Sequence, residues 1–348
     1  MAQKKLRIGV TGLGRIGWEH CQKLAKHKDY TLAGVADPSG TRREEAVALC
    51  GCAAFATHAA MLKGACLDAV VIASPTHLHK DMAVAAFKAG LHVFLEKPMA
   101  MNVEEARAIV IAARRAKRKL TVYQPHRAMA YFQHIRRIVE SGKLGDIYHI
   151  KGCWYNFVRR NDWQALRKYG GGMLNNYGAH IMDQLLALTG RDVKRVFCQL
   201  RLVGSLGDAE DVVRIVYETR GGVVGEAEIN QATALQALWS LEIHGTHGAL
   251  RKEGNMLKAR WFSPRQLSKK NLNTGLASEG RLYPSDQVVF TEQSFEPDPR
   301  FGVDVYADFA KSIRTGSEPF VKPEETLAVM RMLERCRRDA GKIITTRM

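Results

Sequence analysis

Long apolar runs, internal repeats and low-complexity segments are missing from this chain of 348 residues. No stretch approaches the roughly 18 apolar residues that a membrane-spanning helix needs. The Lys-rich start leads directly into an alternating strand pattern, so no secretory signal is apparent. These absences predict a cytoplasmic protein without a membrane segment, and the length favours two domains.

Cysteine pairs of the CxxC type are absent as well. The sequence contains 7 cysteines, mostly in apolar contexts, and the closest two are Cys50 and Cys52. Free cysteine usually packs as a small apolar residue, and reduced thiols are typical of the cytoplasm. No metal site is predicted.

Acidic residues are the minority among the charged ones. The 35 Asp and Glu against 52 Lys and Arg leave a formal charge of +17. The basic residues form scattered runs, and the one at 114–119 falls at a predicted helix end, where cations favour the dipole. We interpret the excess as a solvated basic surface. An anionic substrate is the second interpretation, and the scatter disfavours nucleic acid as a partner.

Strand and helix patterns alternate through the first part of the chain. Near-continuous apolar strands such as 69–72 are typical of parallel sheets covered on both faces. The alternation predicts a parallel α/β domain over residues 1–125. The predicted strands are 6–12, 31–37, 53–56, 67–75, 92–98 and 120–125, and the predicted helices are 15–27, 41–50, 79–89 and 103–117, with another from about 58.

The pattern changes after residue 125. Strands follow one another and helices are kept apart, which predicts an α+β domain with a large, mostly antiparallel open sheet over residues 126–348. Hairpins are indicated at 220–222 and 245–248. The other expected elements are helices at 131–141, 174–188, 301–315 and 323–340, a strand at 146–157, four or five strands between 193 and 262, and a polar excursion over 263–300. We expect the C-terminal helices to pack back on the first domain.

A glycine fingerprint follows the first strand and opens the first helix. In Gly12-Leu13-Gly14-Arg15-Ile16-Gly17, the first glycine permits a tight turn, the second admits a pyrophosphate, and the third allows close helix packing. Asp37 ends the second strand, where a carboxylate accepts hydrogen bonds from ribose hydroxyls. A carboxylate also repels a 2′-phosphate. We therefore predict NAD as the cofactor, while Arg42 and Arg43 leave NADP open.

Three further strands end in residues that suit the same site. They are Ser74, Pro75 and Thr76 after one strand, Glu96, Lys97 and Pro98 after the next, and Gln124 after the last. Carboxyl ends of parallel strands share one edge of a sheet, where ligands bind. We predict that the Lys97 ammonium stabilises a carbonyl or alkoxide oxygen beside the nicotinamide. The alternative is that Glu96 and Lys97 form a pair that caps the strand end.

The second domain supplies a candidate proton acceptor. The Gly-rich segment 170–172 leads into a helix that carries Asn176, His180 and Asp183 on one face. A neutral imidazole suits removal of a proton from a sugar hydroxyl. A metal site at His180 and Asp183 is disfavoured, because no third ligand has a convincing spacing.

The motifs GLGRIG, SPTHLH, EKP, QPHR, GKLGDI and GGGMLNNYGAH together resemble the glucose-fructose oxidoreductase / inositol dehydrogenase / rhizopine catabolism (Gfo/Idh/MocA) oxidoreductases. The resemblance implies a Rossmann domain, an open-faced sheet domain, and dimers or tetramers formed through that sheet. It implies NAD(P)-dependent oxidation or reduction of a sugar, inositol or derivative. It also implies catalytic roles for Lys97 and His180 and cofactor contacts for Thr76 and His79. Gln124 and Arg127 fall where the chain crosses into the substrate domain.

One position departs from the family pattern. The family commonly has an aspartate four residues before the histidine, and this chain has Asn176. An amide orients a hydroxyl but accepts no proton, so we place Asn176 in the catalytic group as an orienting residue. Three alternatives stay open: His180 acts with Lys97 alone, or Asp183 or Asp162 supplies the carboxylate.

The segment 154–163 mixes aromatic, amide and basic side chains, which indicates a sugar-binding loop. Two adjacent arginines there suit a carboxylate or phosphate on the substrate. For Trp154 and Phe157 a core position is equally open. The predicted substrate-binding residues are Arg127, Tyr155, Arg159, Arg160, Asp162, Trp163, Asn176 and His180.

We expect an NAD-linked oxidoreductase that transfers hydride between nicotinamide and a secondary alcohol or ketone of a sugar, cyclitol or derivative. Two alternatives stay open, namely an NAD-dependent glycosidase that oxidises its sugar transiently and a nonenzymatic dinucleotide sensor. The expected cofactor contacts are Gly12, Gly14, Arg15, Ile16, Gly17, Asp37, Ser74, Pro75, Thr76, His79, Glu96, Lys97 and Gln124.

Overall fold

The computed structural model describes residues 4–267, 272, 274 and 286–346. The first domain contains β1 (Leu6–Thr11), α1 (Arg15–Lys26), β2 (Tyr30–Ala36), α2 (Gly40–Cys50), β3 (Ala53–Phe55), α3 (His58–Gly64), β4 (Ala69–Ile72), α4 (His79–Lys88), β5 (His92–Leu95), α5 (Val103–Arg115) and β6 (Leu120–Val122). Within the described residues these strands form a parallel sheet in the order β3-β2-β1-β4-β5-β6. The order reverses between β1 and β4, which places a crevice at their carboxyl ends.

Buried apolar strands hold this sheet together. All of β4 is buried, as expected for a strand with helices on both faces. Helix α5 begins after Asn102, whose side chain accepts a hydrogen bond from the backbone N–H of Glu105 at 2.8 Å. The parallel α/β class predicted for this part of the chain is confirmed.

The second domain is built on a mixed sheet. Its elements are α6 (Pro125–Ala128), α7 (Ala130–Glu140), β7 (Ile147–Tyr155), a π-helical turn (Leu174–Gly178), α8 (Ala179–Thr189), β8 (Val193–Leu202), β9 (Val212–Thr219), β10 (Val224–Asn230), β11 (Leu241–Gly245), β12 (Gly248–Glu253), β13 (Met256–Trp261), β14 (Thr291–Phe295), α9 (Val305–Thr315), α10 (Pro323–Ala340) and β15 (Ile344–Thr345). Among the described strands the order is β14-β13-β12-β11-β7-β10-β9-β8-β15. The pairs β7/β10 and β8/β15 are parallel and the others antiparallel, so the mostly antiparallel sheet is confirmed.

The strand count differs from the expectation of four or five. Between Val193 and Trp261 the described chain forms six strands. The polar excursion over 263–300 also contributes β14, which pairs with β13. An exposed strand of polar residues, Thr291–Phe295, lacks the apolar alternation that the prediction relied on. Residues 268–271, 273 and 275–285 of the excursion lie outside the described part.

The two faces of the mixed sheet have different surroundings. One face packs on α8 so closely that a Cβ on Gly152 would lie 2.9 Å from Ile181 Cγ2. The opposite face carries ion pairs such as Arg214 with Glu228 at 2.9 Å. Because side chains alternate along a strand, each residue of β7 belongs to one face or the other.

The C-terminal helices join the domains. Phe309 of α9 is buried in a cluster with Ile8 of β1, and the hydroxyl of Tyr30 donates to the Tyr306 carbonyl at 2.8 Å. Helix α10 packs against α5 of the first domain and β8 of the second. Across the described ranges no helix is long and apolar enough to cross a membrane.

Candidate active site

The glycine loop after β1 is tight at two glycines and open at the third. Gly12 has a φ of +85°, and a Cβ on Gly17 would lie 1.7 Å from the Gly12 carbonyl oxygen. No heavy atom of the described residues lies within 4 Å of a Cβ built on Gly14. The turn and the helix packing therefore require glycine at 12 and 17, and Gly14 borders space in which the pyrophosphate of a dinucleotide fits.

Asp37 is fixed beside this loop. Its Oδ2 accepts a hydrogen bond from the backbone N–H of Leu13 at 2.7 Å, and its Oδ1 accepts one from that of Ser39 at 2.9 Å. Ribose hydroxyls of NAD would donate to the remaining lone pairs. Arg43 donates to the Asp37 carbonyl at 2.6 Å, and Arg42 lies 3.9 Å from the carboxylate.

Polar side chains at the ends of β4 and β6 are buried without partners. The Ser74 hydroxyl and both amide atoms of Gln124 have none among the described residues. Buried polar groups are nearly always satisfied, so these atoms indicate a group bound between the two strand ends. Thr76 forms the wall towards the second domain, since a Cβ on Gly170 would lie 3.0 Å from its Cβ. The residues present therefore fit NAD.

His79 is a buried imidazole beside two backbone carbonyls. Its Nδ1 lies 3.0 Å from the Pro98 carbonyl and its Nε2 lies 2.9 Å from the Ser74 carbonyl. Burial lowers the pKa of this imidazole. The buried ring lies between the two edge loops and, being neutral, donates its single N–H to one of these two carbonyls, while its contact with the cofactor stays a prediction.

Glu96 turns away from the Lys97 ammonium. Its Oε1 lies 2.9 Å from His20 Nε2, and its Oε2 accepts a hydrogen bond from the Lys97 backbone N–H at 3.1 Å. The other ring nitrogen of His20 lies 2.7 Å from the Tyr306 hydroxyl. The structure therefore opposes the alternative in which Glu96 and Lys97 simply cap a strand end as a pair.

The Lys97 ammonium instead reaches across to the second domain. Its Nζ donates to the carbonyl oxygen of Asn176 at 3.0 Å and to the side-chain Oδ1 at 2.9 Å. Burial lowers the pKa of Lys97 to about 8; the charge of Glu96 partly offsets this effect, and Arg15 and Arg160 add to it. An ammonium has three N–H donors, so one is left for a ligand oxygen.

Asn176 lies in the π-helical turn, where the sequence predicted a regular helix. Its Nδ2 donates to Gln164 Oε1 at 3.2 Å, which fixes the amide with its oxygen towards Lys97. The expected common face of Asn176, His180 and Asp183 is not formed. Asn176 contacts Lys97, whereas Asp183 contacts Arg127, because the wider turn changes the angle between successive side chains.

His180 is a buried, neutral imidazole. Its ring stacks on His126 with centroids 4.4 Å apart and meets the edge of Tyr177 at 6.2 Å. Burial lowers the pKa of His180 well below its usual range, and the charge of Lys97 lowers it further. Its buried Nδ1 has no hydrogen-bond partner in the described part of the chain. A neutral ring with an unused nitrogen suits proton acceptance.

Arg127 serves the fold, contrary to its predicted place among the substrate ligands. Its Nε donates to Asp183 Oδ2 at 2.8 Å, and its other two nitrogens bind Asp183 and Glu325. Burial lowers the pKa of Arg127, but the two carboxylates outweigh it and the net change is upward. All three guanidinium nitrogens are engaged, and the Arg127 side chain is 4% exposed.

Neither candidate carboxylate stands free beside His180. Asp183 is held by Arg127, and Asp162 pairs with Arg160 at 2.9 Å. Of the three alternatives for the missing aspartate, the structure favours His180 acting with Lys97 alone.

The segment 154–163 divides between two locations. Trp154 faces α8 and stacks on Tyr177 at 4.2 Å. Tyr155 therefore faces the opposite side of the sheet, where Glu228 helps to raise its pKa to about 12 after burial. Tyr155 was expected to bind substrate; strand alternation turns it away from the face of Trp154, yet it lines a cavity at the end of β7, so its contact with substrate stays a prediction. Phe157 is 55% exposed, so it is no core residue.

The basic residues of the segment lie nearer the active site. Arg160 donates to Asp162 and to the same Gln164 oxygen that holds Asn176. Arg159 donates to the Gly204 carbonyl at 3.2 Å. Trp163 begins a short 3-10 turn and is partly exposed. These contacts order the loop beside Lys97.

Sequence reasoning missed three residues of this site. His126 stacks on His180, Gln164 fixes Asn176, and His20 holds Glu96. His126 lies within the QPHR segment and Gln164 directly follows Trp163, so both are close in sequence to predicted site residues. His20 gave no local signal beyond its position one turn after the glycine fingerprint.

The first domain offers open space at Gly14, and its Lys97 ammonium binds Asn176 of the second domain, one turn before the neutral His180. This arrangement is that of a dinucleotide-dependent oxidoreductase. Two family models agree. "Oxidoreductase family, NAD-binding Rossmann fold" matches residues 6–124, and "GFO/IDH/MocA C-terminal domain" matches 132–251. The chain belongs to the Gfo/Idh/MocA oxidoreductase family.

Individual relatives extend the match over the whole fold. Inositol 2-dehydrogenase of Rhizobium meliloti is 27% identical over 256 residues, covering 71% of this chain and 76% of that protein. An NAD-binding protein from Listeria innocua has a TM-score of 0.84 at 26% identity and covers 97% of this chain and 98% of its own. The WlbA dehydrogenase from Bordetella pertussis, in complex with NADH and UDP-GlcNAcA, has a TM-score of 0.79 at 26% identity, with 97% of each chain covered.

Proposed function

We propose that this NAD-dependent enzyme oxidises a secondary hydroxyl of a sugar, cyclitol or sugar derivative to the ketone, or catalyses the reverse reduction. The observation that carries the proposal is the contact of Lys97 Nζ with Asn176 Oδ1 at 2.9 Å. It joins the strand edge of the cofactor domain to the helix that bears His180. The names of relatives such as inositol 2-dehydrogenase support the substrate class.

The roles of the side chains follow from their protonation states. NAD, when bound, supplies the hydride acceptor. Lys97 donates its remaining N–H to the substrate oxygen and stabilises negative charge as it develops there. His180, neutral because its pKa is lowered, accepts the hydroxyl proton. Asn176 orients the ammonium, and Gln164 fixes the Asn176 amide.

NAD is proposed over NADP. The Asp37 carboxylate, held by two backbone donors, lies where the ribose hydroxyls would bind, and it repels a 2′-phosphate. Arg43 is committed to the Asp37 carbonyl, which removes one of the two arginines that could have met that phosphate.

The proposed assembly is a homodimer or homotetramer formed through the ion-paired face of the mixed sheet, and the proposed location is the cytoplasm. Exposed pairs such as Arg214 with Glu228 offer alternating charges to a second copy. The free thiols of all seven cysteines suit a reducing compartment. Light scattering on the purified protein would contradict the assembly if it gave the mass of a single chain.

The direct test is a screen of sugars, inositols and their acids with NAD and with NADP, followed at 340 nm. We expect NADH to accumulate in proportion to ketone with at least one polyol, and a lower KM for NAD than for NADP. Substrate turnover without NADH accumulation would favour the transient-oxidation glycosidase. Tight NADH binding without turnover of any compound would favour the sensor.

A further inference from the structure

A cavity of about 420 Å³ lies in the second domain. It lies between the end of β7, residues 233–240 and the turn between β12 and β13. Its size falls in the range of small-molecule sites. The lining includes Trp154, Asn156, Leu235, Trp239 and Lys252.

Two chains of contacts link this cavity to His180. On one wall Trp154 stacks on Tyr177, whose ring meets the His180 edge at 6.2 Å. On the other wall Lys252 Nζ lies 4.8 Å from the centre of the Tyr131 ring. Tyr131 shares a hydrogen-bonding partner, Gln184, with the His126 carbonyl, and His126 stacks on His180. The cavity is therefore connected to His180 through Tyr177 on one wall and through Tyr131, Gln184 and His126 on the other.

Lys252 is on an unusual side of its strand. It pairs in register with Leu241, a buried residue that in turn pairs with Gly152 on the helix-covered face. Its neighbours Arg251 and Glu253 point to the other face and pair there at 2.6 Å. Lys252 is thus a cation on the apolar side of the sheet, where lysine is rarely placed without a partner.

The Lys252 ammonium has no counter-ion in the described residues. It donates to the Gly254 carbonyl at 2.6 Å, which uses one of three N–H donors. Burial lowers the pKa of this lysine, as expected for a charge that lacks a carboxylate. A bound anion would supply the counter-ion that Lys252 lacks.

Two further polar atoms of the cavity wall are unsatisfied. Trp154 Nε1, a donor, and Asn156 Oδ1, an acceptor, are buried, and neither has a partner among the described residues. A ligand with hydroxyl groups supplies both an acceptor and a donor. The cavity wall is therefore complementary to a ligand with hydroxyl groups and one negative charge.

We propose that the substrate is a polyhydroxylated acid whose carboxylate binds Lys252, while its hydroxyls meet Trp154 and Asn156. This inference rests on the proposed function and narrows its substrate class. A monoanion is favoured over a phosphate because the cavity offers a single full charge. Burial, with Lys97 and Lys252 adding, lowers the pKa of His126 to about 4, so that ring is neutral.

The test compares acids with their neutral counterparts on the enzyme loaded with NAD. D-glucuronate is paired with D-glucose and D-galacturonate with D-galactose, and dissociation constants are measured by calorimetry for wild type and Lys252→Met. Methionine removes the charge and keeps an unbranched apolar side chain of similar length. Lys63→Met removes the same charge from an exposed helix and is the matched control.

We expect at least one acid to bind wild type and Lys63→Met at least tenfold more tightly than its neutral partner. Lys252→Met should lose that preference and bind the neutral sugar as wild type does, which also shows that its site is folded. Equal binding of acid and sugar by wild type, a preference kept in Lys252→Met, or failure of every acid to bind would each overturn the inference. Turnover of neutral polyols in those cases would leave the proposed function standing.

Discussion

Replacing Asn176 with aspartate tests how the active-site lysine is tuned. Asn176 Oδ1 lies 2.9 Å from Lys97 Nζ, and Asn176→Asp puts a carboxylate at that place. Opposite charges about 4 Å apart attract by about 4 kcal/mol at an effective dielectric of about 20, offset by the cost of burying the new carboxylate. An opposite charge this close usually raises a lysine pKa by about 1 to 3 units.

The assay is kcat/KM as a function of pH. Activity needs protonated Lys97, so in wild type it falls as pH rises through the Lys97 pKa of about 8. The wild-type value at pH 9 should be about one tenth of that at pH 7. In Asn176→Asp the alkaline limb should move up by about 1 to 3 pH units, with little change at pH 7. The acid limb, set by neutral His180, should stay below pH 6.5 in wild type.

The matched control is Gln22→Glu, which makes the same amide-to-carboxylate change on the exposed side of α1. Its profile should coincide with that of wild type. If the alkaline limb of Asn176→Asp stays in place, Lys97 is not the group whose deprotonation limits the reaction, and the tuning argument is wrong.

Two further predictions concern the cofactor loop and the buried ion pair. Gly14→Ala should keep the wild-type melting temperature and weaken NAD binding at least tenfold (about 1.4 kcal/mol), because its Cβ would occupy open space that the pyrophosphate needs. Gly17→Ala should instead lower the melting temperature, because its Cβ would collide with the Gly12 carbonyl. Calorimetry on both variants would refute this prediction if their effects were reversed. Arg127→Met should destabilise the fold by about 3 to 5 kcal/mol, because it leaves the Asp183 carboxylate buried without its partner; urea unfolding that showed under 1 kcal/mol would contradict the structural role.

Local sequence patterns were sufficient to predict much of the fold and of the cofactor site. Glycine spacing, apolar strands and the residues that end them are properties of neighbouring positions, so Gly14, Asp37 and Lys97 could be placed on one edge from the sequence. The alternation of strands and helices predicts a parallel sheet, and in such a sheet the carboxyl ends of all strands share one edge.

Long-range contacts account for what the sequence did not reveal. The pairing of Arg127 with Glu325 joins residues 198 positions apart, and no local pattern indicates it. The π-helical turn redirects Asn176 by a local change in winding that composition does not encode. Tyr155 and its neighbour Trp154 lie on opposite faces of the sheet, because a shift of one residue along a strand reverses the face.

The central claim is that Lys97 stabilises charge on the reacting oxygen and is not needed to hold the cofactor. The most direct measurement is kcat of Lys97→Met at saturating substrate, beside NADH affinity by fluorescence titration, with Lys88→Met on the exposed end of α4 as control. The account predicts a fall in kcat of about 10²- to 10³-fold or more, NADH affinity within about tenfold of wild type, and an unchanged control. Wild-type turnover in Lys97→Met would contradict it.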